Sequence, residues 1–292
     1  MNAEIFDQYI QAGKIAAKAL KLGAGRIRPD VTILEVVESI EADIRDAGAG
    51  LAFPLNLSRN EDAAHDTASR NDERVFAVGD LVKLDLGVQV GGYIADTALT
   101  VDLGDHGSLV DASREALEEA IRKVRPGCRT GELGTVIHAA ITAKGFKPIS
   151  NLTGHGLGQY LVHTSPSIPN VPTPGGQMLE EGMVFAIEPF ATTGTGRVGD
   201  KNRIEIFRQL SDRPARLQSA RAIMDSVRDR NGMPFAKRWL PADHPDVALA
   251  TLIRSGLVYP FPVLADVPGS FVSQAEHTLI VTGDGCIVTT RD

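Results

Sequence analysis

The 292-residue chain has few cysteines, no long apolar run and no excess of positive charge. Its two cysteines, Cys128 and Cys286, lie far apart in no metal or redox spacing, which excludes a disulfide framework and suits a reducing cytoplasm. No stretch reaches the about 18 apolar residues of a membrane-spanning helix, and the acidic, amphipathic N-terminus is unlike a secretory signal. The net charge of −7 argues against a general nucleic-acid binder. We therefore expect a cytoplasmic protein that binds neither DNA nor membranes.

The chain does have the composition of a folded protein. Apolar residues make up 43% and charged residues 23%, close to globular norms, which argues against wholesale disorder. Because a typical domain holds about 100–200 residues, the length predicts one large domain or one domain with an insertion.

The first half contains a weak internal repeat with a shift of 97 residues. The matched positions share residue type and are Arg28 with Arg125, Pro29 with Pro126, Glu35 with Glu132, Ile40 with Ile137, Ile44 with Ile141 and Gly48 with Gly145. Each stretch is typical of a loop, a helix and a glycine stop, with a further helix before it near 4–21 and 112–124. This predicts two similar α/β halves related by pseudo-symmetry. The same shift carries His65 to the position beside His163, so we expect both histidines to face one central cleft.

A hairpin with two acidic residues is predicted between the halves. The alternating segments LVKLDLGVQV and YIADTALTV flank Gly91-Gly92, a strong two-residue turn. With that turn Asp85 opposes Ala98, and Asp96 shares a face with Ala98. The two carboxylates are then diagonal neighbours among apolar residues, where burial without a cation is costly. The alternative to a buried carboxylate pair is that both aspartates lie at strand ends in contact with solvent.

Three later segments add candidate ligands. The segment GHGLG surrounds His155, which taken by itself would be interpreted as a loop histidine. The segment does not match GxGxxG and no helix pattern follows it, which argues against a dinucleotide-binding site. Two apolar segments predicted as strands, MVFAIEPFA and SFVSQAEHTLIV, carry Glu188 and Glu276, and Glu276 is expected in the middle of its strand. A glutamate buried in such a strand implies a partner for its charge, unless the strand lies at an exposed edge of the sheet. The four carboxylates carry a charge of −4, which two divalent cations would balance.

These segments together resemble the methionine aminopeptidases, closest to type 2 in its short archaeal form. The similar motifs are KLDLGVQVGGYIADTA, LTGHGLGQYLVHTSPSIPN, FAIEPFAT, SQAEHTLIV and FPLNLSRNEDAAHD, which follow the family's order over the whole chain. The resemblance implies an α+β pita-bread fold with two pseudo-symmetric α/β halves. Its catalytic domain would comprise residues 1–192 and 263–292. An inserted helical subdomain would comprise residues 193–262, where MPFAKRWL and YPFPVL resemble type 2 segments.

The resemblance also implies the site. Two divalent metal ions, Co, Mn, Fe or Zn, would be held by Asp85, Asp96, His155, Glu188 and Glu276. His65, His163 and Glu188 would be catalytic: Glu188 as proton shuttle, His163 on the carbonyl oxygen and His65 near the scissile nitrogen. The methionine would be bound by Phe53, Pro54, Asn56 and Phe261 together with the two histidines; core packing is the alternative for the two phenylalanines. The enzyme would remove the N-terminal methionine of nascent polypeptides when the second residue is small.

The inserted segment is basic. From Arg208 to Arg238 there are eight basic and three acidic residues. Such a run either meets ribosomal RNA or is solvated, and the solvated interpretation is favoured because charge runs usually face water. Helices are predicted over 217–230 and 246–255. We expect a monomer.

Two other functions are weighed against this one. Prolidase or aminopeptidase P shares the fold and ligands, but those relatives carry a substantial N-terminal domain, whereas the catalytic pattern here begins almost at residue 1. A non-catalytic pita-bread protein that binds ribosomes or RNA would have lost metal ligands, whereas all five are present.

Overall fold

The structure is a computed structural model that describes residues 1–241 and 244–291. The helices are α1 (Ala3–Ala24), α2 (Ile33–Asp46), α3 (Gly107–Lys123), α4 (Thr130–Ala143), α5 (Gln218–Ser226) and α6 (Asp246–Arg254), with short 3-10 turns at Arg228–Arg230 and Lys237–Trp239. The first strands are β1 (Gly50–Leu51), β2 (Asn56–Arg59), β3 (Asp62–Ala64), β4 (Leu81–Val90), β5 (Tyr93–Asp102), β6 (Lys147–Pro148), β7 (Thr153–Gly158) and β8 (Leu161–Pro169). The later strands are β9 (Val184–Ile187), β10 (Phe190–Thr192), β11 (Gly199–Gln209), β12 (Phe235–Ala236), β13 (Val258–Ala265), β14 (Val272–Gln274), β15 (His277–Val281) and β16 (Cys286–Val288).

The expected α+β organisation with two α/β halves is confirmed. In the first half, α1 and α2 cover a sheet in which β4 pairs with β1, β2 and β5, and Ile40 and Leu84 belong to its core. In the second half, α3 and α4 cover the sheet β16-β15-β9-β7-β8 and the short sheet β14-β10-β6, with Ile137, Phe185 and Leu279 in the core. None of the helices in the described residues is long and apolar enough to cross a membrane.

The internal repeat corresponds to two matching helix ends. The helices α2 and α4 begin at equivalent positions, and each has a glutamate, Glu35 or Glu132, at its third residue. After each helix, Gly48 and Gly145 adopt positive φ angles of 78° and 84°. Only glycine takes this conformation without a steric cost, so both stretches end their helix by the same device.

The hairpin register is also confirmed, whereas two strand predictions need correction. Asp85 pairs with Ala98 and Gly87 pairs with Asp96. The segment around Glu188 is not one strand, because β9 ends at Ile187 and β10 begins at Phe190. Glu276 is likewise not mid-strand; it lies between β14 and β15 and forms an isolated bridge to Ala98. Both glutamates therefore sit at breaks in the ladder, where their backbone leaves one sheet and enters the next.

The segment 193–262 contains strands as well as helices. Strand β11 pairs with β12 and β13, and β13 pairs with β3 of the first half. Helices α5 and α6 and these strands enclose a separate apolar cluster that includes Phe207, Ile223 and Leu249. The sequence-based boundary at 262 falls inside β13, so the segment is continuous with a strand of the main domain. The division into two domains stays a prediction.

Candidate metal centre

Backbone pairing brings three of the five predicted ligands side by side. Ala98 lies opposite Asp85 in the hairpin, and on its other side it exchanges two hydrogen bonds with Glu276, at 2.9 and 3.3 Å between nitrogen and oxygen. Asp96 is two residues along the same strand, and its N–H donates to Thr278 Oγ1 at 2.7 Å. The two halves of the molecule are thus joined along β5, with their carboxylates at the joint.

His155 reaches the same point from the second half. Its Nε2 lies 3.7 Å from Asp96 Oδ2 and 3.6 Å from Glu188 Oε1. One ligand atom each from Asp96, His155 and Glu276 fall within 4.8 Å of one another. These separations are too long for good hydrogen bonds, but they suit ligands of a shared ion, each of which lies about 2 Å from it.

His155 lies in strand β7 and not in a loop. A Cβ on Gly154 would lie 2.3 Å from Ala186 O, and one on Gly156 would lie 1.9 Å from Ser165 O. The glycines of GHGLG therefore allow β7 to approach its neighbours closely, which sets the histidine deep in the sheet.

Gln274 is a residue that the sequence analysis missed. Its Nε2 lies 3.4 Å from both Asp85 Oδ2 and Glu276 Oε2. The side chain thus donates between two carboxylates and limits their rotation. The available signal was its position two residues before Glu276 in an extended segment, since such residues share a face.

The carboxyl groups fit divalent cations. Burial raises the pKa of Asp85 to about 7. Burial, and then the charges of the neighbouring carboxylates, raise the pKa of Asp96, Glu188 and Glu276 well above the usual range. Asp85 Oδ1 and Asp96 Oδ1 are buried without a hydrogen bond in the described part of the chain. Buried anionic oxygens that lack partners are costly, and a cation with oxygen and imidazole ligands removes the cost.

The neutral histidine completes the donor set. Burial lowers the pKa of His155 to about 4, so its imidazole is uncharged at neutral pH and has a lone pair to offer a metal. The site therefore offers carboxylate oxygens and an imidazole nitrogen, a donor set that suits a divalent metal ion.

A cavity of about 250 Å³ opens onto the centre. All five candidate ligands line it, together with the predicted substrate residues Phe53, Asn56, His65, His163 and Phe261. In the described ranges 1–241 and 244–291, Pro54 is the only predicted site residue that does not line the cavity. It is buried, and its carbonyl oxygen accepts a hydrogen bond from Asn56 Nδ2 at 3.1 Å. Its contact with substrate stays a prediction.

The two predicted catalytic histidines face this cavity from different parts of the chain. His163 lies in β8, and its ring centroid is 4.3 Å from that of His155. His65 follows β3 with a positive φ of 67°, a strained conformation that is uncommon for a non-glycine residue and is often found at functional sites. Its Nδ1 lies 3.2 Å from Pro262 O, and its ring packs edge-on against Phe261 at 5.4 Å. These two contacts hold the His65 ring in one orientation.

Without divalent metal the protein should become less stable as the pH rises from about 5 to 8. The pKa of Asp85 is about 7 in the folded chain and about 3.9 when unfolded. The folded state therefore retains a proton that the unfolded state has released, and stability falls as pH rises through this window. Denaturation midpoints of the wild type and of Asp85→Asn, measured in chelator at about pH 5 and about pH 8, test this prediction. An unchanged pH dependence in Asp85→Asn would contradict the prediction, and saturating Mn²⁺ should stabilise the wild type at pH 8.

Comparison with known proteins identifies full-length relatives. The profile of metallopeptidase family M24 matches residues 7–227. A methionine aminopeptidase of Archaeoglobus fulgidus is 51% identical over 292 residues, covering 100% of both chains. That of Methanothermobacter thermautotrophicus is 45% identical, covering 99% of each. The crystal structure of a methionine aminopeptidase from Thermotoga maritima has a TM-score of 0.74 and 26% identity, covering 100% of this chain and 98% of the other.

Proposed function

The chain belongs to metallopeptidase family M24, and from this we propose that it hydrolyses the first peptide bond of polypeptides that begin with methionine. One observation carries the proposal. Four carboxylates and a histidine converge at one end of a cavity whose walls include apolar side chains, such as Phe53, Phe190 and Phe261. The full-length similarity to archaeal methionine aminopeptidases supports the same substrate.

Asp85, Asp96, His155, Glu188 and Glu276 would hold two divalent ions. The charge of −4 on the four carboxylates supports two ions instead of one, since a single divalent ion would leave two buried negative charges. Such ions supply Lewis acidity, which lowers the pKa of water and polarises a carbonyl. Co, Mn, Fe and Zn all accept this ligand set, so availability decides among them.

Glu188 moves the proton. Its Oε1 lies 3.6 Å from His155 Nε2, and its side chain, which lines the cavity, is 14% exposed. A carboxylate in this position accepts a proton from the attacking water and returns it to the amine that leaves.

His163 binds the carbonyl oxygen. Burial lowers its pKa to about 3, with further contributions from His155, His65 and Arg208. The imidazole is therefore neutral and donates one N–H, which stabilises negative charge as it develops on the oxygen. His65, which Pro262 O and the Phe261 ring hold in place, lies next to the apolar wall and contacts the residue beyond the scissile bond.

The apolar wall would hold the methionine side chain. Phe53 packs against Gly87, where a Cβ would lie 2.3 Å from the ring, so glycine is needed opposite Asp96. Phe261 and Ile206 approach from the inserted segment. A thioether fits such a surface, whereas a charged side chain would lose its hydration there. Nascent polypeptides are the proposed partners; a monomeric state, cytoplasmic location and ribosome contact stay predictions.

Methionine should be released from Met-Gly, Met-Ala, Met-Val and Met-Thr peptides but not from Met-Lys peptides. The histidines and the inserted segment narrow the cavity beyond the scissile bond, so only a small second residue fits. A panel of Met-Xaa-Ser-Lys peptides compared by kcat/KM tests this, with an N-acetylated Met-Gly peptide as the blocked-amine control. Equal cleavage of Met-Gly and Met-Lys would contradict the proposed crowding.

Two alternatives predict different results in the same assay. A preference for Xaa-Pro peptides whatever the first residue would favour a prolidase or aminopeptidase P activity. No release from any peptide by metal-loaded protein would favour a non-catalytic protein. The presence of all five candidate ligands in one cavity argues against the second alternative.

A further inference from the structure

A groove adjoins the metal cavity on the side of the inserted segment. Its volume is about 210 Å³, and it shares Val162, His163 and Pro234 with the cavity. Arg208 and Leu161 line its walls. A wider depression of about 600 Å³ adjoins the groove farther out and shares Gln209, Leu210, Asn231 and Gly232 with it. A peptide whose first residue lies in the cavity can leave the site along this route.

Strand register places Arg208 one step outside the cavity. Ile206 pairs with Phe261, and Arg208 pairs with Tyr259, in the regular part of the β11–β13 ladder. Directly opposite residues, and residues two apart on a strand, share a face of the sheet. Ile206 and Phe261 line the cavity. Arg208 and the exposed Tyr259 are therefore the next pair on that face, roughly 7 Å farther out along the strand.

The guanidinium of Arg208 has no partner in the part of the chain that the structure describes. Its Nε is buried without a hydrogen bond, and its other nitrogens form no hydrogen bond or ion pair among residues 1–241 and 244–291. By contrast, two arginines of the wider depression are engaged: Arg221 donates to Ala215 O and Arg216 O, and Arg228 pairs with Asp225. A half-buried guanidinium that faces a groove and lacks an internal partner is placed to bind an anion from outside.

We propose that Arg208 binds an acidic side chain at the third or fourth residue of the peptide substrate, and so makes acidic sequences after a small second residue preferred substrates. This rests on the proposed function. An extended peptide advances about 3.3 Å per residue. With the scissile carbonyl near His163, the following residues run along the groove that His163 and Arg208 both line, and a carboxylate beside Arg208 can accept two parallel N–H bonds.

Five amidated peptides test the proposal, because the amide keeps the terminal carboxylate from occupying the subsite. They are Met-Ala-Ser-Ser, Met-Ala-Asp-Ser, Met-Ala-Lys-Ser, Met-Ala-Ser-Asp and Met-Ala-Ser-Lys. In metal-loaded wild-type protein, kcat/KM should be roughly 5- to 20-fold higher for aspartate than for lysine at one of the two positions. The difference should lie mainly in KM and should shrink when salt is raised from 0.05 to 0.5 M, as expected for about a threefold shorter screening length.

Variants separate Arg208 from the overall charge of the protein. Arg208→Met should bring the aspartate-to-lysine ratio close to one, and Arg208→Glu should invert it. Arg216→Met removes an exposed arginine that lines neither the groove nor the cavity, and it should retain the wild-type ratio. Thermal midpoints check that each variant is folded.

The failures are distinguishable. Release of methionine from the neutral peptide with no aspartate preference in the wild type overturns the subsite but leaves the proposed function standing. A preference that persists in Arg208→Met also overturns it. No methionine release from any of the five peptides overturns the proposed function and the subsite together.

Discussion

Glu188→Gln should lower kcat for methionine release by roughly 10²- to 10⁴-fold. Glutamine has nearly the same shape but cannot accept a proton, and it removes one of the four negative charges that would balance the metals. Chelation of the wild type should abolish turnover as well, and added divalent metal should restore it. Because the lost interaction serves the transition state, kcat and kcat/KM should fall together.

The matched control is Glu181→Gln, an exposed glutamate seven residues earlier that does not line the cavity. It should retain wild-type kcat. Metal content measured by elemental analysis separates the two roles of Glu188, since a variant that still binds two ions but turns over slowly has lost the proton carrier. Undiminished kcat in Glu188→Gln, or full activity of the chelated wild type, would refute the proposed centre.

Arg238→Ala should destabilise the protein by about 3–5 kcal/mol, the usual cost of leaving a buried charge without its partner. Arg238 and Glu41 form an ion pair with side chains 4% and 2% exposed. Arg238 also donates to Thr67 Oγ1 at 3.0 Å and Ala68 O at 3.2 Å, just after His65 in the chain. The residue thus ties the inserted segment both to α2 and to the loop that holds a proposed catalytic histidine.

The comparison variant is Arg45→Ala, which removes another arginine near the same glutamate. Arg45 Nη2 lies 3.4 Å from Glu41 Oε2, but its side chain is 52% exposed. Such pairs contribute about 0–1 kcal/mol. Urea denaturation midpoints in one buffer measure both losses. If Arg238→Ala cost no more than Arg45→Ala, the buried pair would not hold the segment in place.

The basic segment from Arg208 to Arg238 shows what a count of charged residues can and cannot predict. The eight basic residues between Arg208 and Arg238 indicate only that positive charge is concentrated there. The structure shows that the solvated interpretation is incomplete: Arg230 donates to Leu51 O and Ala52 O at 3.0 and 3.2 Å, Arg238 is buried against Glu41, and Arg208 faces the groove. Packing decides which face of a segment meets water, and sequence periodicity over short, irregular elements does not specify that face.

The candidate metal centre, too, was predictable from the sequence only in part. The hairpin pattern in the sequence correctly predicted the register that places Asp85 and Asp96, because strand alternation and a two-residue turn fix the register locally. His155, Glu188 and Glu276 came from family resemblance and from the cost of burying charge. Their surroundings were less predictable: His155 lies in a strand and the two glutamates at strand breaks. The donor role of Gln274 depends on a bridge between Ala98 and Glu276, which no local pattern encodes.

The sequence by itself determined the two α/β halves, the helix stops, the hairpin register and the residue types of the candidate metal ligands, because each follows from spacing within one segment or from a motif. The tertiary structure alone decided how the halves join along β5, which side chain lies between the carboxylates, and where the arginines of the insertion point. Those features arise from contacts between segments far apart in the chain. Their geometry is set by the packing of whole sheets and helices, which local preferences constrain but do not choose.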